Sequence, residues 1–425
     1  MLVKNLNNLP RDILRLFSQI GKIAQENNCR VFVVGGVIRD LYLGRENFDF
    51  DIIVEGDGIA LAKILADKFK AKLVDHEQFC TAALFMPNGI KIDIATARKE
   101  TYEHPGALPK VTPGSIEDDL LRRDFSINAM AASLNPEDFG ELIDFSDGLN
   151  DLKKKVIRVL HDLSFIDDPT RILRAIRFEQ RLKFRIEDHS LKLIKEALKH
   201  HAFETIKPPR IWRELILILY EKSPKKYFMR IAGVCDLRFI HPKLRLNRDT
   251  LRLFDAIDKL LVSYEKLYPH NEPVENWFLY FMALTDALKR SEIKYLAERF
   301  NLKKDQRDRL YSFKNLNRNF FNFLGKNNLQ PSQVYVMLEH LSYETILILR
   351  AKSENKIIKK RIDDFLNIYD KVKLSINGDY LAELGVSLDS GFKKILDKIF
   401  YKKLDGELQT KEEEIEYARK LIDNQ

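Results

Sequence analysis

A chain of 425 residues, 45% of them hydrophobic, is too long for one ordinary core and predicts two to three domains with ample apolar material to bury. Its 71 Lys+Arg against 63 Asp+Glu give a net charge of +8, which favours an anionic partner without naming one. Three widely separated cysteines, Cys29, Cys80 and Cys235, argue against a disulfide framework or a zinc site, and no stretch approaches the roughly 18 apolar residues of a membrane span, so a soluble, cytoplasmic protein with no membrane association is expected.

In chain order, residues 11–28 carry helical periodicity, and RVFVVGG (30–36) is a β-branched run closed by two glycines that reads as a buried strand. A helix, VIRDLYL, follows and ends near Gly44; FDFDIIVEG (48–56) has the period-two alternation of a second strand, and residues 58–70 read as helix. TAALFMP and IKIDIATA flank Asn88-Gly89, the strongest hairpin signal in the chain, so two antiparallel strands are expected to join the same sheet. Between Arg98 and Arg122, KETYEHPGALPKVTPGSIEDDLL is a Gly- and Pro-bearing polar connection not expected to form one regular element. The chain to about residue 135 is therefore a small α+β unit. From Ile157 onward nearly every segment has helical spacing, so the remainder is expected to be all-α, with breaks at Pro208-Pro209 and around Pro269. Residues 151–230 hold 20 Lys+Arg against 11 Asp+Glu, a surplus that accounts for the whole net charge and places a basic surface behind the α+β unit.

Residues two apart on a strand share a face, so Asp49 and Asp51 project together while Phe48, Phe50 and Ile52 point into a core. Paired carboxylates on a rigid strand can bridge two Mg²⁺ ions in phosphoryl or nucleotidyl transfer; a solvated strand edge can carry the same pattern. Gly35-Gly36, between strand and helix, lets a phosphate approach the backbone, and Arg39 one turn on can reach a triphosphate or pair with Asp40 at the surface. Asp93, on the hairpin strand facing the same way as Lys91, is a possible third carboxylate and stays outside the catalytic set.

Four ordered motifs, GGVIRDLYLGR with DFD, EDDLLRRDFSINAMA (117–131), LIDFSDGLNDLKKKVIRVL (142–160) and DDPTRILRAIRF (167–178), resemble the class II tRNA nucleotidyltransferases, with their A-adding, CC-adding and bacterial poly(A) polymerase relatives. The resemblance is strong through about residue 215. It implies a head (1–135) resembling the DNA polymerase beta nucleotidyltransferase fold with a small mixed sheet, a helical neck (136–205), a helical body (206–330) and a helical, tRNA-binding tail (331–425). It also implies Asp49 and Asp51 as catalytic metal ligands for two Mg²⁺ ions, and nucleotide contacts from Gly35, Gly36, Arg39 and Arg123, with Asp124 and Asn128 near the ribose.

Arg122-Arg123-Asp124 precedes an apolar, helix-like stretch and suits a site holding phosphates and a ribose hydroxyl, or else a helix N-terminal ion-pair cluster. Asp168-Pro169-Thr170-Arg171 opens a helix, and a carboxylate beside a guanidinium accepts from an exocyclic amine and donates to a ring nitrogen, the complement of cytosine and adenine. Uracil and guanine present the reverse pattern and would leave buried polar groups unpaired. The resemblance carries Arg174 and Arg177 toward the triphosphate, and it finds Asp167 where the family motif usually has Glu. The loop between Arg98 and Arg122, shortened in CC-adding members, argues against a CC-only enzyme. The expected activity is CCA addition to tRNA from CTP and ATP without an obligate protein partner; A addition to tRNA-CC, poly(A) synthesis and CC addition are the alternatives, and a non-catalytic RNA-binding role belongs to another class.

Overall fold

The computed structural model describes all residues except 1–5, 7–8, 47–48, 78–79, 102, 105, 108, 270, 272, 384–390 and 424–425. Two compact units emerge, Met1–Leu215 with Gly233–Phe239, and Ile216–Ala232 with Ile240–Gln425.

In the first unit, α1 (Arg11–Glu26) leads to β1 (Arg30–Val34), α2 (Gly36–Tyr42), β2 (Phe50–Glu55), α3 (Gly58–Phe69), β3 (Lys72–His76), β4 (Thr81–Phe85) and β5 (Lys91–Thr96). With β8 (Ala131–Ser133) and β9 (Leu142–Ile143) these strands make a seven-stranded mixed sheet, ordered β3-β4-β5-β2-β1-β8-β9. The Asn88-Gly89 turn joins antiparallel β4 and β5 as its chemistry requires, whereas β2 and β5 run parallel. The sheet extends past residue 135, because β9 pairs with β8.

Period-two alternation gives the sheet two different faces. Phe50, Ile52, Ile92 and Ile94 are buried on one, and Phe17 of α1 meets Phe50 edge-to-face with ring centroids 5.2 Å apart. On the other face, Phe32, Val34, Ile53 and Ala131 form a cluster with Ile116 and Leu120 of α4 (Ile116–Leu121). α4 is held by a capping box in which Ser115 and Asp118 satisfy each other's backbone N–H groups. β6 (Arg98–Thr101) and β7 (Lys110–Pro113), introduced between β5 and α4, pair as an antiparallel ribbon; the Gly/Pro-rich connection is more regular than its composition suggested. The apolar run after Asp124 is a 3-10 turn, Ser126–Asn128, followed by β8, rather than a longer helix.

Beyond the sheet come α5 (Gly148–Lys154), the short strand β10 (Val156–Ile157), α6 (Ser164–Asp167), α7 (Thr170–Leu182), β11 (Arg185–Ile186), α8 (Asp188–Lys199) and α9 (Pro208–Leu219). β10 and β11 form a two-residue parallel pair within a segment whose spacing is otherwise helical. The second unit is helical, built around Arg248–Leu267 and the wholly buried Asn276–Leu284, whose sequence NWFLYFMAL has no polar face to expose. Among the described residues no helix is long and apolar enough to cross a membrane.

Candidate active site

Asp49 lies just ahead of β2 and Asp51 on its second position, both exposed, while Phe50 and Ile52 are buried on the opposite side. Phe48 falls outside the described residues. In the parallel β2–β5 register Asp51 stands opposite Asp93, which Lys91 Nζ approaches to 2.5 Å. Asp51 borders a cavity of about 570 Å³. Desolvation there, countered by Arg123 but reinforced by the charges of Asp49 and Asp93, pushes its carboxyl up to about 6. Asp49, Asp51 and Asp93 together are a hard-oxygen donor set. Among the described residues no group of three or more His, Cys, Asp or Glu could hold a metal ion on its own. The carboxylates present fit Mg²⁺, which takes one or two carboxylates and completes its octahedron with water and phosphate oxygens.

The end of β1 supplies the next component. Gly35 has φ +72°, a left-handed conformation that favours glycine, and a Cβ on it would lie 2.8 Å from Arg123 Nη1, which would have to move aside. Its N–H donates to the Met130 carbonyl, fixing the turn to β8, and Gly36 opens α2. Arg123 Nη2 donates to Asp119 at 2.9 Å, whereas its buried Nε has no hydrogen-bond partner. Arg123 thus lies beside the glycine turn and within electrostatic reach of Asp51.

A chain of buried charges runs from this turn into α7. Arg39 donates bidentately to Asp40 at 2.9 and 2.8 Å, and its Nη1 donates to Asn128 Oδ1 at 2.6 Å. Asn128 Nδ2 donates to Asp124 Oδ1 at 3.0 Å, and Asp124 Oδ2 accepts from Arg174 Nε and Nη2 at 2.8 and 2.6 Å. Arg174 and Arg177 share Glu214 at 3.4 and 3.6 Å. The ring of Phe178 lies beneath the guanidiniums of Arg39, Arg174 and Arg177, 5.3, 5.8 and 5.3 Å away. Burial alone would push Asp124 up, but Arg174, Asn128 and Arg171 together hold it below the usual carboxylate range. Arg39 is therefore a buried organising cation rather than a surface pair. Glu214, missed in the sequence, was signalled by its place as the single acid in the apolar run of α9.

Asp168 and Arg171 are neighbours at the start of α7, yet their side chains have separate partners. Asp168 Oδ1 accepts the Thr170 N–H and hydroxyl at 3.0 and 2.6 Å, and Oδ2 pairs with Arg210 at 2.9 Å. Arg171, buried, donates to Ser164 Oγ at 2.7 Å and to the Arg122 carbonyl at 2.8 Å, which ties α7 to the Arg122–Asp124 segment. Gly106, between β6 and β7, donates its N–H to the Asp167 carbonyl at 3.2 Å, and its carbonyl accepts from Arg210 at 3.2 Å. At φ +72° a Cβ on Gly106 would meet the Thr205 carbonyl at 2.6 Å, so glycine is required for this docking. Arg210 had no motif to mark it; it follows Pro208-Pro209 at the start of α9, where only the fold turns it toward Asp168.

A mixed-sheet head with carboxylates on β2, a glycine turn after β1 and an arginine-bearing α7 has the layout of a nucleotidyltransferase fold. The model of the Poly A polymerase head domain matches residues 31–158. The chain is 38% identical over 421 residues to an A-adding tRNA nucleotidyltransferase of Geobacter sulfurreducens, covering 98% of this chain and 48% of that protein. It therefore spans about half the length of that relative. It is 32% identical to the A-adding tRNA nucleotidyltransferase of Halalkalibacterium halodurans over 98% of this chain and 94% of that protein. A CCA-adding enzyme in an apo form has the same fold with a TM-score of 0.81 and 36% identity, over 99% of this chain and 97% of that one. The Thermotoga maritima CCA-adding enzyme complexed with tRNA matches with a TM-score of 0.74 and 35% identity, over 97% and 96%. The chain belongs to the class II tRNA nucleotidyltransferase and poly(A) polymerase head family.

Proposed function

We propose that this chain is a tRNA nucleotidyltransferase that adds adenosine from ATP to tRNA ending in CC, releasing pyrophosphate. The observation that carries the choice of A addition is the match at near-full length on both sides to an A-adding relative. The docked Gly106 turn supports it: a base site tied down through Arg210, Asp167 and Asp168 suits one nucleotide and need not be rebuilt between additions. Full CCA addition from CTP and ATP is the second reading, favoured by the likeness to CCA-adding structures over nearly the whole chain.

Asp49 and Asp51 would hold two Mg²⁺ ions, which lower the pKa of the attacking 3′-hydroxyl and neutralise the leaving oxygen. Gly35, Gly36 and Arg123 receive the phosphates: the Cβ-free turn admits the oxygens and the guanidinium donates to them. Asp124 and Asn128 meet the ribose, with their orientation fixed by Arg174 and Arg39. Arg177 acts from the same helix on the triphosphate side. Asp168 accepts the exocyclic amine of the base and Arg171 donates to its ring nitrogen, so GTP and UTP are rejected without a template. The tRNA would be held by the basic neck (136–205) and by the body (206–330) and tail (331–425) through phosphate contacts that read shape more than sequence, with affinity falling steeply with salt.

The test supplies labelled ATP or CTP with tRNA ending at the discriminator base, after C and after CC. Extension of the CC-ended substrate alone, and with ATP alone, is expected. Extension of the two shorter substrates would replace A addition with the full CCA reading.

A further inference from the structure

Arg122 and Arg123 leave the end of α4 side by side, and one carboxylate holds them both. Asp119, fully buried, accepts from Arg122 Nε and Nη2 at 3.0 and 2.5 Å through Oδ1, and from Arg123 Nη2 at 2.9 Å through Oδ2. Three charge-assisted donors come close to filling the capacity of a carboxylate. Helix formation does not call for this acid. Glu117 and Asp118 already place negative charge in the first turn of α4, and neither is buried. A third carboxylate in the interior is costly unless paired, so its presence there follows from the cations it holds.

The two arginines depend on Asp119 unequally. Arg122 also donates Nη1 to Glu100 at 3.0 Å. Arg123 has no second acid at ion-pair distance among the described residues, and its buried Nε has no hydrogen-bond partner. Held by Nη2, its guanidinium keeps Nη1 beside Gly35. Asp51 borders the same cavity as Arg123 and lies within its electrostatic reach, and opposite charges there attract. A guanidinium that closed onto Asp51 would leave the glycine turn and occupy the oxygens expected to hold Mg²⁺. We propose that Asp119 is a positioning residue for nucleotidyl transfer: by clamping Arg123 through Nη2 it keeps Nη1 at the Gly35 turn, open to the phosphates of the incoming nucleotide, and keeps the guanidinium off Asp49 and Asp51. Ile116 and Leu120, which flank Asp119 in sequence, pack into the cluster on the sheet and fix the backbone from which the clamp acts. This assignment rests on the phosphate role given to Arg123 above.

The test is a double-variant cycle read by equilibrium binding of labelled ATP, which needs no turnover. Asp119→Asn keeps the shape, removes the charge and sets an amide NH₂ against a guanidinium. ATP should then bind about 10-fold more weakly, the scale of a lost hydrogen bond to a charged group, with KM for CC-ended tRNA unchanged. Arg123→Ala should weaken ATP binding at least as much, and Asp119→Asn in that background should add less than about 2-fold, because the clamp then has nothing to hold. Asp119→Glu keeps the charge on a longer arm; it should recover part of the loss, and it carries the cycle if Asp119→Asn does not fold. ATP binding unchanged in Asp119→Asn, or effects of the two substitutions that simply multiply, would overturn the clamp, even if the variant melts at a lower temperature. An unaltered protein that binds ATP but extends no RNA would overturn the transfer reading, while the binding cycle still decides the role of Asp119.

Discussion

Both units bury charge, and they use it differently. In the helical unit, Arg309 lies 4.3 Å over Phe278 and is surrounded by Glu275, Asp305 and Glu344 at 2.6, 2.9 and 3.4 Å. Arg350 grips Asp363 at 2.6 and 3.0 Å, and Lys314 donates to the Asp286 carbonyl at 2.6 Å. Arg309 and Arg350 are closed in by acids, and Lys314 by a backbone carbonyl. In the first unit the chain from Arg39 to Glu214 is equally buried, but it ends beside a left-handed glycine, a cavity and three carboxylates on an open strand face. Buried ion pairs alone do not mark a site. What marks this one is that the pairs brace a glycine turn and a cavity bordered by Asp51, Asp93, Arg122 and Arg123.

If that contrast holds, the largest effect comes from the open acids. Asp51→Asn should lower the rate of nucleotide incorporation by roughly 10³-fold, the scale of losing one preorganised electrostatic contact to the transition state. Its melting temperature should be unchanged or higher, because a crowded carboxylate is removed. A matching loss of stability would make Asp51 a structural residue.

Next is the bracing. Asp124→Asn leaves the half-buried Arg174 without its main counter-charge, which costs about 2 kcal/mol of stability by denaturant unfolding and raises KM for ATP. Glu344→Gln in the other unit should cost about 2 kcal/mol, with KM for ATP unchanged. Equal effects of the two on KM would erase the distinction between the units.

The smallest effect is a slope with pH. Burial pulls Lys314 down to about 8 against 10.5 when unfolded, so between these values the unfolded chain binds the extra proton and folding stability rises with pH. The unfolding midpoint of the unaltered protein, relative to Lys314→Met, should therefore climb from pH 8 to 10.5 and be level below 8.

Much of the site was legible because it is local. Asp49 and Asp51 follow from period two in a single strand, and the Asn88-Gly89 hairpin from turn chemistry. What escaped depends on pairings distant in sequence. Asp93 gains meaning only when β5 lies parallel to β2, and Arg210 only when α9 turns it toward Asp168. The β6–β7 ribbon was hidden by Pro and Gly, whose presence signals a turn without saying that its flanks pair. Arg39 could be read as a phosphate ligand or a surface pair; its hydrogen bonds to Asp40 and Asn128 lie inside the protein, which excludes the surface pair.

Asp168 and Arg171 are proposed to choose the base that the carboxylates of β2 then join to RNA. The most direct test is competition among ATP, CTP, GTP and UTP for addition to CC-ended tRNA. The unaltered protein is predicted to add a single A, and Asp168→Ala to lose roughly 10- to 100-fold of its preference over GTP and UTP while still requiring Mg²⁺. Discrimination that survives Asp168→Ala unchanged would contradict the account.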